Sequence, residues 1–128
     1  MFINSGSVIN KNAATSIFPG VTEFSLAINA EAYLGSGGTS SATFELNNGQ
    51  LLKGEGVCYC NLLVKSGATL SPGFSPGLLG MNGLNMETGS TLVVELNGTI
   101  LQSEYDSLSS SQAVALEENT PGGATLDL

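Results

Sequence analysis

Apolar and polar residues alternate along much of this chain. Between Thr22 and Leu34, the residues Phe24, Leu26, Ile28, Ala30, Ala32 and Leu34 share one parity, and Glu23, Ser25, Asn29 and Glu31 share the other. Period two over that length predicts a strand with one buried and one wet face. A helix would space its apolar residues by three and four. The alternation predicts further strands. Phe44 and Leu46 alternate with Thr43 and Glu45 ahead of Asn48-Gly49. Cys58, Cys60, Leu62 and Val64 share a phase that Ala68 and Leu70 continue. Leu92, Val94 and Leu96 point one way, and Thr91, Val93 and Glu95 the other, before Asn97-Gly98. Leu126 and Leu128 end the sequence in phase. The Asn-Gly pairs, Asn82-Gly83 among them, are expected to supply the positive φ of tight corners. For Leu51, Leu63, Leu79 and Val93 two readings stand, scattered surface residues or a subunit interface.

One phrase recurs. Gly67-Ala68-Thr69-Leu70, Gly89-Ser90-Thr91-Leu92 and Gly123-Ala124-Thr125-Leu126 are variants of it, with Gly6-Ser7-Val8-Ile9 as a fainter fourth. The first two lie within the roughly 20 to 30 residues of one coiled β repeat. A small-residue corner followed by a β-branched residue and Leu is what stacked coils need, since equivalent side chains then pack in columns. The serine-rich stretch 98–112 reads as an inserted loop. The segment SGATLSPGFSPG at 66–77 cannot continue a central strand, because proline lacks the amide donor. It predicts a rigid corner between strands of successive coils. Corner positions are therefore assigned to Gly67, Pro72, Gly73, Pro76, Gly77, Gly89, Asn97, Gly98 and Gly123.

The stretch from about Leu52 to Leu128 resembles the β-strand repeat segments of autotransporter passengers and related bacterial surface proteins. The resemblance is carried by SGATLSPGFSPG at 66–77, MNGLNMETGSTLVVELNG at 81–98, YDSL at 105–108 and the closing GGATLDL. It implies an all-β fold, a single-stranded right-handed parallel β-helix, with Tyr105-Asp106 belonging to the structural frame.

Composition fits short strands joined by turns. Of 128 residues, 41% are hydrophobic, only 11% are charged and 17 are glycine. Eleven acids face three Lys, Arg is absent, and the net charge is −8. Nucleic acid and anionic membrane surfaces need clustered cations, so both are excluded as expected partners. Residues 1–20 lack the basic and apolar regions of a secretory signal, and no apolar run approaches a membrane span. A complete chain made in the cytoplasm is expected. Cys58 and Cys60 are expected to be reduced, as small apolar side chains facing the core, because a disulfide between strand residues two apart lies at the edge of permitted geometry.

Without His or Arg, the common nucleophilic triads and zinc sites lack their parts. No phosphate-binding or dinucleotide fingerprint appears, so no cofactor is expected. Glu104 and Asp106 form the one carboxylate pair that could hydrolyse a glycoside. Glu117 and Glu118 read as a solvated turn. Calcium binding by Glu104, Asp106 or Asp127 has no EF-hand or Asp-rich repeat behind it. No catalytic residue is assigned.

A short stack exposes strand edges at both ends, which association covers. Residues 1–20 are expected to form a cap or docking arm on a β-helix domain of residues 21–128. Phe2, Ile3, Val8, Ile9, Ile17 and Phe18 are its candidate docking residues. The expectation is a non-enzymatic decoration (cement) protein on the outer surface of a bacteriophage capsid. It would be a homo-oligomer, a trimer by preference, bound to the major capsid protein or another shell protein. The alternative is a fragment or small relative of a secreted bacterial surface adhesin.

Overall fold

The computed structural model describes residues 1–6, 8–12, 20–35, 42–74, 76–101, 103–116 and 125–127. Those residues are all-β and contain no helix. In chain order the first strands are β1 (Phe2–Ile3), β2 (Val8–Asn12), β3 (Glu23–Leu26), β4 (Glu31–Gly35) and β5 (Thr43–Leu46). Next come β6 (Leu51–Gly54), β7 (Val57–Val64), β8 (Thr69–Pro72) and β9 (Leu78–Met86). The last are β10 (Thr91–Val93), β11 (Ser107–Ser110), β12 (Val114–Ala115) and β13 (Thr125–Asp127).

The strands form two sheets, and every ladder between them is parallel. The first sheet runs β1-β3-β6-β8-β10-β13, and the second runs β11-β9-β7-β4-β2, with β5 on β7 and β12 on β9. The chain thus passes repeatedly from one sheet to the other. Strands β1 and β2, within the first twenty residues, extend both sheets by pairing with β3 and β4.

The recurring phrase stacks on itself. Thr69, Thr91 and Thr125 are in register, and so are Leu70, Leu92 and Leu126. Leu52 and Phe24 continue the second column. The fainter copy does not join it, because Val8 and Ile9 pair with Glu31 and Ala32 in the second sheet. One buried cluster draws on both sheets. It includes Phe24, Leu52 and Leu70 from the first and Phe44, Leu62, Leu79 and Met86 from the second. Each such side chain contributes about 1.5–3 kcal/mol relative to exposure. Leu79, whose facing the alternation left open, is a core residue, while Leu51 and Leu63 are half-buried on the outer faces.

The corners explain where the strand expectations shift. The run 22–34 is two strands, not one. Ala30 N–H donates to Ala27 C=O (2.9 Å), Asn29 has φ 60°, and Ile28 is 57% exposed. Four-residue turns also occupy 47–50, 65–68 and 87–90, each closed by an amide of the fourth residue on the carbonyl of the first (2.9, 2.9 and 3.0 Å). Their third residues, Gly49, Gly67 and Gly89, have φ of 79°, 78° and 82°. A type II turn requires that sign at that place. The turns are stacked by hydrogen bonds from Gly49 N–H to Gly67 C=O (3.0 Å) and from Gly67 N–H to Gly89 C=O (2.9 Å).

Three other expectations are corrected. Asn82-Gly83 is not a turn but lies inside β9, and neither Gly83 nor Gly98 has a positive φ. The strand begun at Thr91 ends at Val93, leaving Leu96 56% exposed. The serine cluster is not wholly loop. Ser107–Ser110 pairs with Leu78–Met81, because the neighbouring strand supplies the backbone partners whatever the side chains.

Cys58 and Cys60 are joined by a disulfide, correcting the expectation of two thiols. Period two turns both side chains inward, and their Cα atoms lie 5.5 Å apart, within the usual disulfide range. The ladder between β7 and β9 shifts register between Cys58 and Asn61. A bulge therefore sits at the same place, with one extra residue on β7.

Candidate functional site

The corner 73–77 is built around one carboxylate. Pro72 ends β8 with its ring fully buried, and Gly73 turns the chain with φ 84°. Gly77 N–H donates to Asp106 Oδ1 and Glu95 N–H to Asp106 Oδ2, both at 2.9 Å. Asp106 N–H donates to Glu95 C=O (2.9 Å), and Ser107 N–H to Gly77 C=O (2.8 Å). Asp106 is only 7% exposed, and a Cβ at Gly73 would overlap its carboxylate. Hydrogen bonds to a charged acceptor contribute about 1.5–3 kcal/mol each. Asp106 therefore ties the proline-glycine corner to the loop 94–106. Glu104 closes that loop from inside, its Oε2 accepting from Thr99 N–H (2.7 Å) and Ile100 N–H (3.0 Å). A Cβ at Gly98 would overlap the Glu104 carboxylate, so the glycine leaves that side chain its place. Both carboxylates flanking Tyr105 thus hold backbone amides of separate turns.

From this corner Phe74 reaches across the outer face of the first sheet. Its ring centroid lies 5.9 Å from that of Phe2 and 5.8 Å from Lys53 Nζ. Lys53 Nζ pairs with Glu23 Oε1 at 3.0 Å, and Ser25 Oγ donates to the same oxygen at 2.8 Å. The hydrogen bond from Lys53, then that from Ser25, holds the Glu23 carboxyl below its ordinary range. Phe2 and Phe74 are 58% and 41% exposed. Beside them runs a groove of about 350 Å³ lined by Leu51, Lys53, Thr69, Ser71, Phe74 and Val93.

On the outer face of the second sheet, Tyr33 and Tyr59 are register partners and stack at 4.6 Å between centroids and 17° between planes. Tyr33 Oη donates to Glu31 Oε2 at 3.4 Å. Burial, then the Glu31 charge, pushes the Tyr33 phenol up.

The assigned positions fall as follows. Gly67, Gly73 and Gly89 are positive-φ corners, and Pro76 and Gly77 complete the turn 73–77. Asn97 and Gly98 lie in the long loop, and Gly123 lies outside the described residues. Of the docking residues, Phe2 is exposed. Ile3 is a core residue, 5% exposed, and offers no docking surface. Val8 and Ile9 lie in β2, while Ile17 and Phe18 fall outside the described residues, as do Glu117 and Glu118. Among the described residues no group of three or more His, Cys, Asp or Glu is placed to hold a metal. Sequence reasoning missed Phe74 and Lys53. Phe74 sits among turn residues, where an aromatic has no turn-forming reason to occur, and that was the available signal. Comparison with protein families, characterised proteins and solved structures finds no match.

Proposed function

We propose that the chain is a right-handed, single-stranded parallel β-helix acting as a non-enzymatic structural protein, a decoration protein on the outer surface of a bacteriophage capsid. All-parallel ladders, passage between the sheets and the in-register Thr-Leu columns support the coil. The right hand is the one that parallel crossovers take in about 98% of cases. The observation that carries the docking role is the exposed Phe2–Phe74 pair over the Lys53–Glu23 ion pair. Aromatic side chains beside a desolvated groove are the usual anchors of protein interfaces. The proposed partner is a shell protein, and the proposed assembly is a homotrimer.

Density-gradient sedimentation with phage particles from the protein's own host, together with native mass measurement, tests this reading. A trimer that sediments with the particles is expected. Replacing Phe2 and Phe74 together by Ala should cost about 2 kcal/mol or more of shell binding. A stable monomer that never sediments with particles would end the proposal.

The Cys58–Cys60 disulfide favours a second reading, because disulfides persist in oxidising surroundings. In that reading the chain is a fragment or small relative of a secreted bacterial surface adhesin. Protease treatment of intact cells separates the two, since only the adhesin would be shaved from the cell surface.

A further inference from the structure

The outer face of the second sheet has a step in it. Strand β7 presents Val57, Tyr59, Asn61 and Leu63, while its neighbour β9 presents Gly80, Asn82 and Asn85. Two clefts follow β9 in succession. The first, about 300 Å³, is lined by Glu55, Tyr59, Gly80, Asn82, Ser109 and Ser111 among others. The second, about 370 Å³, is lined by Asn61, Leu63, Gly83, Asn85 and Gln112 among others. Glu55 is the single charged residue among the described linings of both. Tyr59 packs one ring face on Tyr33 from the β4 side. Its other face therefore borders the first cleft, on the β9 side.

We infer that these clefts bind a linear, neutral oligosaccharide lying along β9, with one sugar ring stacked on Tyr59. A pyranose ring offers a face of C–H bonds, weakly positive, which suits the negative face of an aromatic ring. Its hydroxyls suit the amides and hydroxyls of Asn82, Ser109 and Ser111, in the mix of apolar wall and few polar groups that ligand clefts use. A net charge of −8 repels phosphorylated, sulfated or uronic ligands. A peptide strand gains no hydrogen-bonding edge here, because β9 is paired on both sides. This inference stands apart from the capsid reading, since it uses the opposite sheet and needs no shell.

The test is a titration of the ¹⁵N-labelled protein with β-1,4-linked tetramers of glucose and of N-acetylglucosamine, and with the α-1,4-linked glucose tetramer. Saturable shifts of the Gly80, Asn82, Ser109 and Ser111 amides are expected. The chain has no tryptophan, so tyrosine fluorescence should change in step. Tyr59→Ala should bind about tenfold more weakly, and Tyr59→Phe should keep the affinity, because stacking does not need the hydroxyl. Gly80→Val should abolish binding outright while keeping the fold. A Cβ there meets Val57 at an ordinary 3.4 Å, and the larger side chain fills the cleft. The inference is overturned by absence of saturable shifts with all three sugars, or by unchanged binding in both Tyr59→Ala and Gly80→Val. Movement of the same amides with protein concentration alone would also overturn it, since a second copy would then cover this face.

Discussion

The two sides on which the chain turns between its sheets are unlike. The turns at 47–50, 65–68 and 87–90, leading from second sheet to first, have one length, one closing hydrogen bond and a glycine at the third place. The turns back differ every time: 27–30, then 55–56, then 73–77, then 94–106. The uniform side sets the repeat. The varied side carries what projects from it, including Ile28, Phe74, Leu96, Ile100 and Leu101, all at least 41% exposed. Regularity and surface character are thus divided between the two sets of turns that join the sheets.

Six substitutions probe that division, beginning with the greatest effect. On the varied side, Gly54 has φ 127°, and a Cβ would overlap the Leu26 carbonyl. Gly54→Ala should lose more than about 3 kcal/mol in urea unfolding, or fail to fold. Asp106→Ala leaves the Gly77 and Glu95 amides without their acceptor, a cost of about 3 kcal/mol by the same measurement. Asp106→Asn retains one carbonyl oxygen and should lose about half as much. On the uniform side the effects are smaller and graded. Gly67→Ala should cost about 2 kcal/mol, because the left-handed φ is strained and the Cβ meets Asn48 Oδ1 at 2.6 Å. Gly49→Ala meets nothing within 4 Å and should cost about 1 kcal/mol, the strain alone. Equal losses at Gly49 and Gly67 would show that the contact with Asn48 adds nothing to the strain.

The smallest effect is electrostatic. Lys65 Nζ and Glu87 Oε1, at the first places of neighbouring uniform turns, lie 2.6 Å apart. That hydrogen bond holds the Glu87 carboxyl below its ordinary 4.5. Its stabilisation is present above 4.5 and lost as pH falls through the lowered folded-state value. The same bond raises Lys65 above its ordinary 10.5, so that share is present below 10.5 and lost as pH rises through the raised value. Both side chains are about one-third exposed, so water screens the pair and the change should be slight. Thermal melts of Lys65→Met against the native chain across that window would measure it.

Parity explains which parts of the fold were legible. A four-residue turn restores the phase, so Phe24 and Leu26 before 27–30, Ala30 at its last place, and Ala32 and Leu34 after it all face inward. The core of the run could be read off except at Ile28, which shares the inward parity yet is exposed because it sits in the corner that went unseen. Glycine at a positive φ was legible at Gly67 and Gly89 because the Thr-Leu phrase follows each. The long loop was not, since its form depends on Asp106 meeting Gly77, 29 residues away. The Tyr33–Tyr59 stack and the Phe74 reach were equally hidden, because each joins residues that only register or a folded corner brings together.

The Asp106 tie also separates inheritance from novelty within one polypeptide. It closes the excursion 94–106 at its base, so the exposed residues Leu96 through Leu101 lie outside the named strands. Mutational drift or a graft in those positions can rewrite what the molecule displays, while the layers beneath keep their seating.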